Sequence, residues 1–125
     1  NVLYGKVDGW ENGSVKVLVN GHHFFADADK SLYTAGEDVW VSIRPQKISF
    51  HDSGETVNRS SGIIQYVEYL GAVTKGEIGL DNGIALDFEL YSSDSNEIML
   101  LDRQKINISV LPPDIQIGKK IAGLE

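Results

Sequence analysis

The sequence predicts an all-β chain. Three observations carry that reading. Apolar residues recur with period two, Asn-Gly pairs punctuate the alternating segments, and no long helical period runs through the chain. Period-two patterning with one apolar face is the mark of half-buried antiparallel strands. In chain order, Gly5 opens a strand through Lys6–Asp8, and Val15, Val17 and Val19 share one strand face with Lys16 on the other. Val39, Val41 and Ile43 alternate with Trp40, Ser42 and Arg44. Gly62 opens Ile63–Tyr69, and Ile84, Leu86, Phe88 and Leu90 alternate with Ala85, Asp87, Glu89 and Tyr91. Ile106, Ile108 and Val110 alternate with Asn107 and Ser109. Asn12-Gly13, Asn20-Gly21 and Asn82-Gly83 each lie between such segments. A two-residue type I′ hairpin needs positive φ at both central positions, which Asn and Gly tolerate best. One short helical turn is expected near Ser95–Leu101, capped by Ser95 or Asn96. At about 5–6 residues per strand, about ten strands are expected.

The chain also repeats itself. Val41–Phe50 lines up with Ile108–Ile117 at a constant offset of 67, with Ser and Pro in matching places. Asn20-Gly21 matches Asn82-Gly83 at offset 62, and Gly5 matches Gly62 at offset 57. The growing offset means that the second copy carries insertions. Two five-strand units are therefore expected, 1–55 and 56–125, with strands that can be shared between them. Asp52–Ser61, apolar only at Val57, would join them. In each unit a Pro follows a strand and stops it, because Pro cannot donate to a ladder. Five short antiparallel strands per unit predict two OB-like small barrels packed as one compact unit. A plain β-sandwich is the alternative.

Composition excludes several functions. The 125 residues hold 18 acidic and 11 basic side chains, a formal charge of −7, which argues against nucleic acid or anionic lipid as the main partner. The absence of cysteine removes disulfides, thiol catalysis and thiolate zinc sites. The longest apolar run, Ile98–Leu101, is far short of a membrane span. Residue 1 is Asn, so the chain is expected to begin mid-protein or after processing.

Motifs for chemistry are sparse. Gly71 and Gly76 have the gap of a phosphate loop, but Glu77-Ile78 follow where Lys and Ser/Thr are required, so both are expected to flank a strand start. His22 and His23 are adjacent on a strand and point to opposite faces, so they cannot chelate one ion together. His51-Asp52-Ser53 carries the letters of a triad contiguously, whereas triads assemble from separated segments. Asp27, Asp29, Ser31 and Asp38 approach calcium-loop spacing, but Leu32 stands where Gly is demanded, so a solvated acidic loop is expected. Asn12, Asn58 and Asn107 open formal glycosylation sequons without an export signal. Trp10, Phe24, Phe25, Trp40, Tyr66 and Tyr69 are expected as packing rather than as stacking platforms. No basic cluster stands out beyond Lys119-Lys120.

Three stretches, in order, resemble a known family. Asn1–Val7 is similar to an "N-F-L-x-G-x-V" junction, Gly36–Ile48 to a segment running from "G-E-x-V" into "I-R-P-E-x-I", and Gly62–Gly71 to "G-x-V-x-x-V-E-Y-L-G". Together they resemble the C-terminal transport-associated OB (TOBE) region of the ATP-binding subunits of bacterial ABC importers, of the sugar, polyamine and ferric-iron type. Gln46, Lys75-Gly76-Glu77 and Asp102–Lys105 depart from the family pattern. The resemblance implies a non-catalytic accessory domain with no cofactor of its own, ATP and Mg belonging to an N-terminal ATPase domain. It implies pairing with a second copy of the subunit, indirect contact with the transporter's membrane subunits, and a cytoplasmic place at the inner face of the membrane. It marks Arg44, Pro45, Glu68, Tyr69, Leu70 and Gly71 as landmarks. From the residues themselves, Pro45 ends a strand, Gly71 turns the chain, and Tyr69 and Leu70 pack. Two further functions fit the predicted barrels. One is binding of a small oxyanion between them, as in the related molybdate-binding members; the other is oligonucleotide binding, which rests on fold analogy alone.

Overall fold

The computed structural model describes residues 1–50, 57–91 and 100–120. Nine strands make up these segments: β1 (Val2–Glu11), β2 (Ser14–Val19), β3 (His22–Ala26), β4 (Asp38–Ile43), β5 (Arg59–Leu70), β6 (Val73–Leu80), β7 (Ala85–Tyr91), β8 (Lys105–Ser109) and β9 (Ile115–Lys119). Three short 3-10 turns complete them, and no α-helix occurs among the described residues. The chain is all-β, with two curled sheets that each form an OB-like half-barrel. The first has strand order β3-β2-β1-β4-β9, the second β7-β6-β5-β8.

The alternating segments bury the faces that their periodicity predicts. Val15, Val17, Val39, Val41 and Ile43 have no exposed surface, and Leu86, Phe88 and Leu90 line β7 in the same way. These residues join one apolar core drawn from both sheets. A core common to two sheets lets each half-barrel bury a face that it is too small to enclose by itself.

The repeat reappears in three dimensions. Gly5 lies on β1 so close to the Leu18 carbonyl that a Cβ could not fit, and the Val19 side chain is 2.7 Å from that position. Gly62 repeats this on β5, where a Cβ would stand 2.7 Å from the Gly79 carbonyl oxygen. Each first strand then shifts register, between Val7 and Trp10 on β1 and between Ile64 and Tyr66 on β5. Such bulges bend a strand and raise its twist, which is what closing a small barrel needs.

The two copies also exchange their tails. After β4, the 3-10 turn Pro45–Lys47 carries the chain to the second sheet, where Ser49 exchanges two 2.9 Å backbone hydrogen bonds with Ser109. After β8, the matching turn Pro112–Asp114 carries it back, and β9 pairs with β4 over Val39–Ile43. The strand that would have been the tenth is thus reduced to one bridge at Ser49.

Other expectations change. Asn12-Gly13 and Asn20-Gly21 have positive φ at both residues, the type I′ geometry. At the third pair only Gly83 does; Gly83 N–H donates to Leu80 and Leu80 N–H to Ile84, so an extra residue makes a turn with a bulge. Gly76 lies inside β6 rather than at its start. The expected boundary near residues 55 and 56, His51-Asp52-Ser53, and the expected helical turn as far as residue 99 lie outside the described residues.

Candidate functional site

Two asparagines hold the copies together. Phe25 N–H donates to Asn58 Oδ1 at 2.7 Å, and Asn58 Nδ2 donates back to the Phe25 carbonyl at 2.8 Å. Phe25 lies on β3, the edge strand of the first sheet, so the amide pairs with it as a further strand would. Asn1 does the same on β7, an edge strand of the second sheet. Asp87 N–H of β7 donates to Asn1 Oδ1 at 2.7 Å, and Asn1 Nδ2 donates to the Asp87 carbonyl at 2.8 Å. An amide has both a donor and an acceptor, which is why Asn suits this place and Asp does not. The two residues are 57 apart, the same offset as Gly5 and Gly62. That spacing, Asn-x-x-x-Gly in both copies, is the signal that could have found them.

Beside the Asn58 clamp lies a cleft of about 480 Å³. The β1–β2 hairpin supplies Glu11 and Ser14, β3 supplies His23 and Phe25, and β5 opens on Arg59. Pro112, from the second copy's tail, lines it as well. Both copies therefore build this cleft. Lys16 Nζ lies 3.9 Å from Glu11, and His23 Nε2 lies 2.8 Å from Asp8. His22 leaves the other face of β3, pairs with Ser60 Oγ at 3.1 Å and meets the Phe24 ring edge-on. Burial holds its pKa below the ordinary histidine range, and the neighbouring His23 adds to the effect.

The landmark residues lie elsewhere. Arg44 precedes the turn Pro45–Lys47, and its carbonyl accepts from Lys47 N–H at 2.9 Å. Glu68, Tyr69, Leu70 and Gly71 form the far end of the β5–β6 hairpin, with Gly71 at φ 76°. Tyr69 and Leu70 do not pack as expected; both are 55% exposed. Register explains this. Glu11↔Ser14 closes the first hairpin over Asn12-Gly13, whereas Glu68↔Lys75 continues through Tyr69↔Thr74 and Leu70↔Val73. The second hairpin is four residues longer, and on this extension Thr74 is buried while Tyr69 and Leu70 remain exposed. The Tyr69 hydroxyl instead accepts from Leu100 N–H at 3.0 Å and donates to the Leu100 carbonyl. Tyr66 and Trp10 are exposed too, contrary to the packing expected of them, while Phe24 is buried as expected.

The remaining candidates have structural partners. Asp29 accepts from Ser31 N–H and Oγ at 3.0 and 2.7 Å, which lowers its pKa. The Lys6 ammonium 2.8 Å from Asp38 lowers that carboxyl in turn. Asn58 is 8% exposed with its amide committed at both ends, so its sequon is closed to modification in the folded chain. Lys119 and Lys120 stand over the rings of Tyr33 and Tyr4.

Comparison with known proteins follows this geometry. The fold is similar to that of ModG, a cytoplasmic molybdate-binding protein crystallised with molybdate bound; the TM-score is 0.79 at 16% identity, over 96% of each chain. No curated protein sequence matches the chain. The family model of the TOBE domain matches residues 41–115, which include the first tail, the whole of the second repeat's four strands β5 to β8 and the turn that leads into β9. The chain belongs to the TOBE domain family.

Proposed function

We propose that this chain is a binding domain for a small tetrahedral oxyanion of the molybdate kind. The observation that carries the proposal is the cleft at the Asn58 clamp, which both repeats line and which counts Arg59 and Ser14 among its lining residues. Arg presents a planar fork of donors suited to oxyanions. The likeness to ModG over the whole chain supports the reading, because the same duplicated scaffold carries molybdate there. The formal charge of −7 opposes anions at long range, so recognition has to come from donors in direct contact. Calorimetric titration of the chain with molybdate, tungstate and sulfate tests this. Heat from at least one that saturates supports it; no heat from all three removes it.

A second reading is an accessory domain of the ATP-binding subunit of an ABC importer, which would bind ATP and Mg in a separate domain and pair with a second copy at the inner face of the membrane. The apolar tip of the β5–β6 hairpin favours it, since exposed Tyr66, Tyr69 and Leu70 suit a protein contact. The coding sequence upstream of Asn1 decides. An in-frame nucleotide-binding domain supports this reading, and a start codon with none removes it.

A further inference from the structure

The outer face of the second sheet carries another cleft, of about 400 Å³. Register sets that face out in rows across β5, β6 and β7: Leu70–Val73–Tyr91, Glu68–Lys75–Glu89, Tyr66–Glu77–Asp87 and Ile63–Gly79–Ala85. The rows between, such as Ile64–Ile78–Leu86, turn into the core. Ile63, Gln65, Gly79 and Ala85 line the cleft, and Glu77 and Asp81 bring carboxylates to it. Glu77 stands directly opposite Asp87. Like charges so placed oppose strand pairing. Lys75, in the next row, lies 3.6 Å from Glu89, and among the described residues no salt bridge reaches Glu77 or Asp87. Lys105 of β8 stands opposite Ile63 but does not line the cleft.

The fold does not demand this pair. Gly5 and Gly62 set the copies in register, so Leu18 matches Gly79, Lys16 matches Glu77 and Phe25 matches Asp87. The first copy holds a cation and a ring where the second holds two carboxylates, and it forms the same strands. Its Leu18 also occupies the place that Gly79 leaves without a side chain.

We infer that this cleft receives a basic side chain, Lys or Arg, from a protein partner. Glu77 and Asp87 supply the opposite charge, and Tyr66 offers a ring in the same row. The aliphatic stem of such a side chain suits the strip Ile63–Gly79–Ala85. Tyr66, Leu70 and Tyr91 are exposed around it and give the partner apolar surface to cover. Glu68, Glu77, Asp87 and Glu89 stand against Lys75 on this face, so a second copy would meet its own charge. The same excess opposes a nucleic acid. The inference depends on neither reading above, because this cleft is separate from the one at Asn58.

An NMR titration of the isotope-labelled chain with a short peptide of alternating Arg and Val tests the assignment, with circular dichroism melts to show that each variant folds. The same peptide with Glu for Arg is the control. Saturable shifts at the Glu77, Gly79 and Asp87 amides are expected with the basic peptide alone. Glu77→Gln joined to Asp87→Asn should weaken binding roughly tenfold. Gly79→Leu, which fills the cleft and changes no charge, should weaken it as well. Asp38→Asn, on the first sheet, should leave it unchanged. No saturable shifts, shifts confined to the first sheet, equal affinity for the acidic peptide, or unaltered affinity in the folded double variant overturns the inference. A dimer in sedimentation equilibrium of the chain alone, lost in Tyr66→Ala, overturns it in favour of a second copy. None of these outcomes bears on molybdate at the Asn58 cleft.

Discussion

Replacing Asn58 by Ala tests whether the repeats are held by the clamp. The substitution removes two hydrogen bonds of 2.7 and 2.8 Å and leaves Phe25 N–H and C=O without those partners at a position that is 8% exposed. At about 1 kcal/mol net for each bond, the loss is about 2 kcal/mol. Asn58 also has φ 57°, a left-handed conformation that costs a residue such as Ala roughly 1 kcal/mol. The sum is about 3 kcal/mol. With an unfolding entropy of about 2.1 cal/mol/K per residue, a chain of 125 residues loses about 10 °C in Tm. Asn58→Gly isolates the hydrogen bonds, because Gly accepts the left-handed φ, so about 2 kcal/mol is expected there. Asn1→Ala breaks the matching bonds to Asp87, which face water that replaces them, and one longer, part-buried bond of 3.1 Å to the Ile43 carbonyl. Its cost should stay below about 1 kcal/mol. Urea unfolding of the four proteins, followed by circular dichroism, gives the comparison. Equal losses for Asn58→Ala and Asn1→Ala, or a Tm change for Asn58→Ala under about 2 °C, would refute the argument.

Three more outcomes follow from the same coordinates. In Gly76→Ala a new Cβ meets the Tyr66 carbonyl and the Phe88 ring, neither of which can yield cheaply, so a loss of about 2–4 kcal/mol is expected. In Gly79→Ala it meets only the amide end of Gln65, which can swing away, so the change should stay within about 1 kcal/mol; similar midpoints for the two variants would contradict the packing argument. Tyr69→Phe removes both bonds to Leu100, and amide exchange at Leu100 should quicken while the global midpoint falls by about 1–2 kcal/mol. His22 has a folded pKa depressed below that of the unfolded chain, so the unfolded state takes up its proton first as pH falls. Stability attributable to His22 is then complete above the ordinary value near 6.5 and declines below it. The parent chain should lose more stability between pH 7.5 and 5.5 than His22→Gln does; parallel losses would show that burial of His22 carries no pH dependence. The depressed Asp29 and Asp38 act only below the ordinary carboxylate range, outside that window.

Local pattern made the strands legible and stopped there. Val15, Val17, Val19 and Val39, Val41, Ile43 mark buried faces because period two is a property of neighbouring residues. The same residues say nothing about which sheet a strand joins, so the pairing of β9 with β4 across the repeat boundary left no periodic trace. Asn20-Gly21 formed its predicted turn, while Asn82-Gly83 did not, because one added residue changes which positions need positive φ. The aromatic residues misled for a different reason. Tyr66 and Tyr69 sit in a strand with the composition of a core strand, but Tyr66 lies on the face opposite Val67, which packs on the core, and Tyr69 belongs to the added length of the hairpin. The cleft was invisible because Glu11, His23, Arg59 and Pro112 come from four distant segments. Only Asn1 and Asn58 left a mark, in sharing the offset of two glycines that were themselves noticed.

Duplication explains why a cleft and an exposed arm occur in one small domain. The positions that join the copies are under the same physical demand in both, since each sheet edge needs a donor and an acceptor. They accordingly match: Asn1 with Asn58, Gly5 with Gly62, Pro45 with Pro112. Positions outside the joint carry no such demand and have diverged. In the first copy the hairpin ends early at Asn12-Gly13, which leaves room for the cleft; in the second it runs four residues further and projects Tyr69 and Leu70. Asn58 lines the cleft that it helps to build, so joint and site are coupled in the first copy alone. A ligand held there would stabilise the joint by mass action, RT ln(1 + [L]/Kd). Loss of Asn58 should therefore lower stability and binding together.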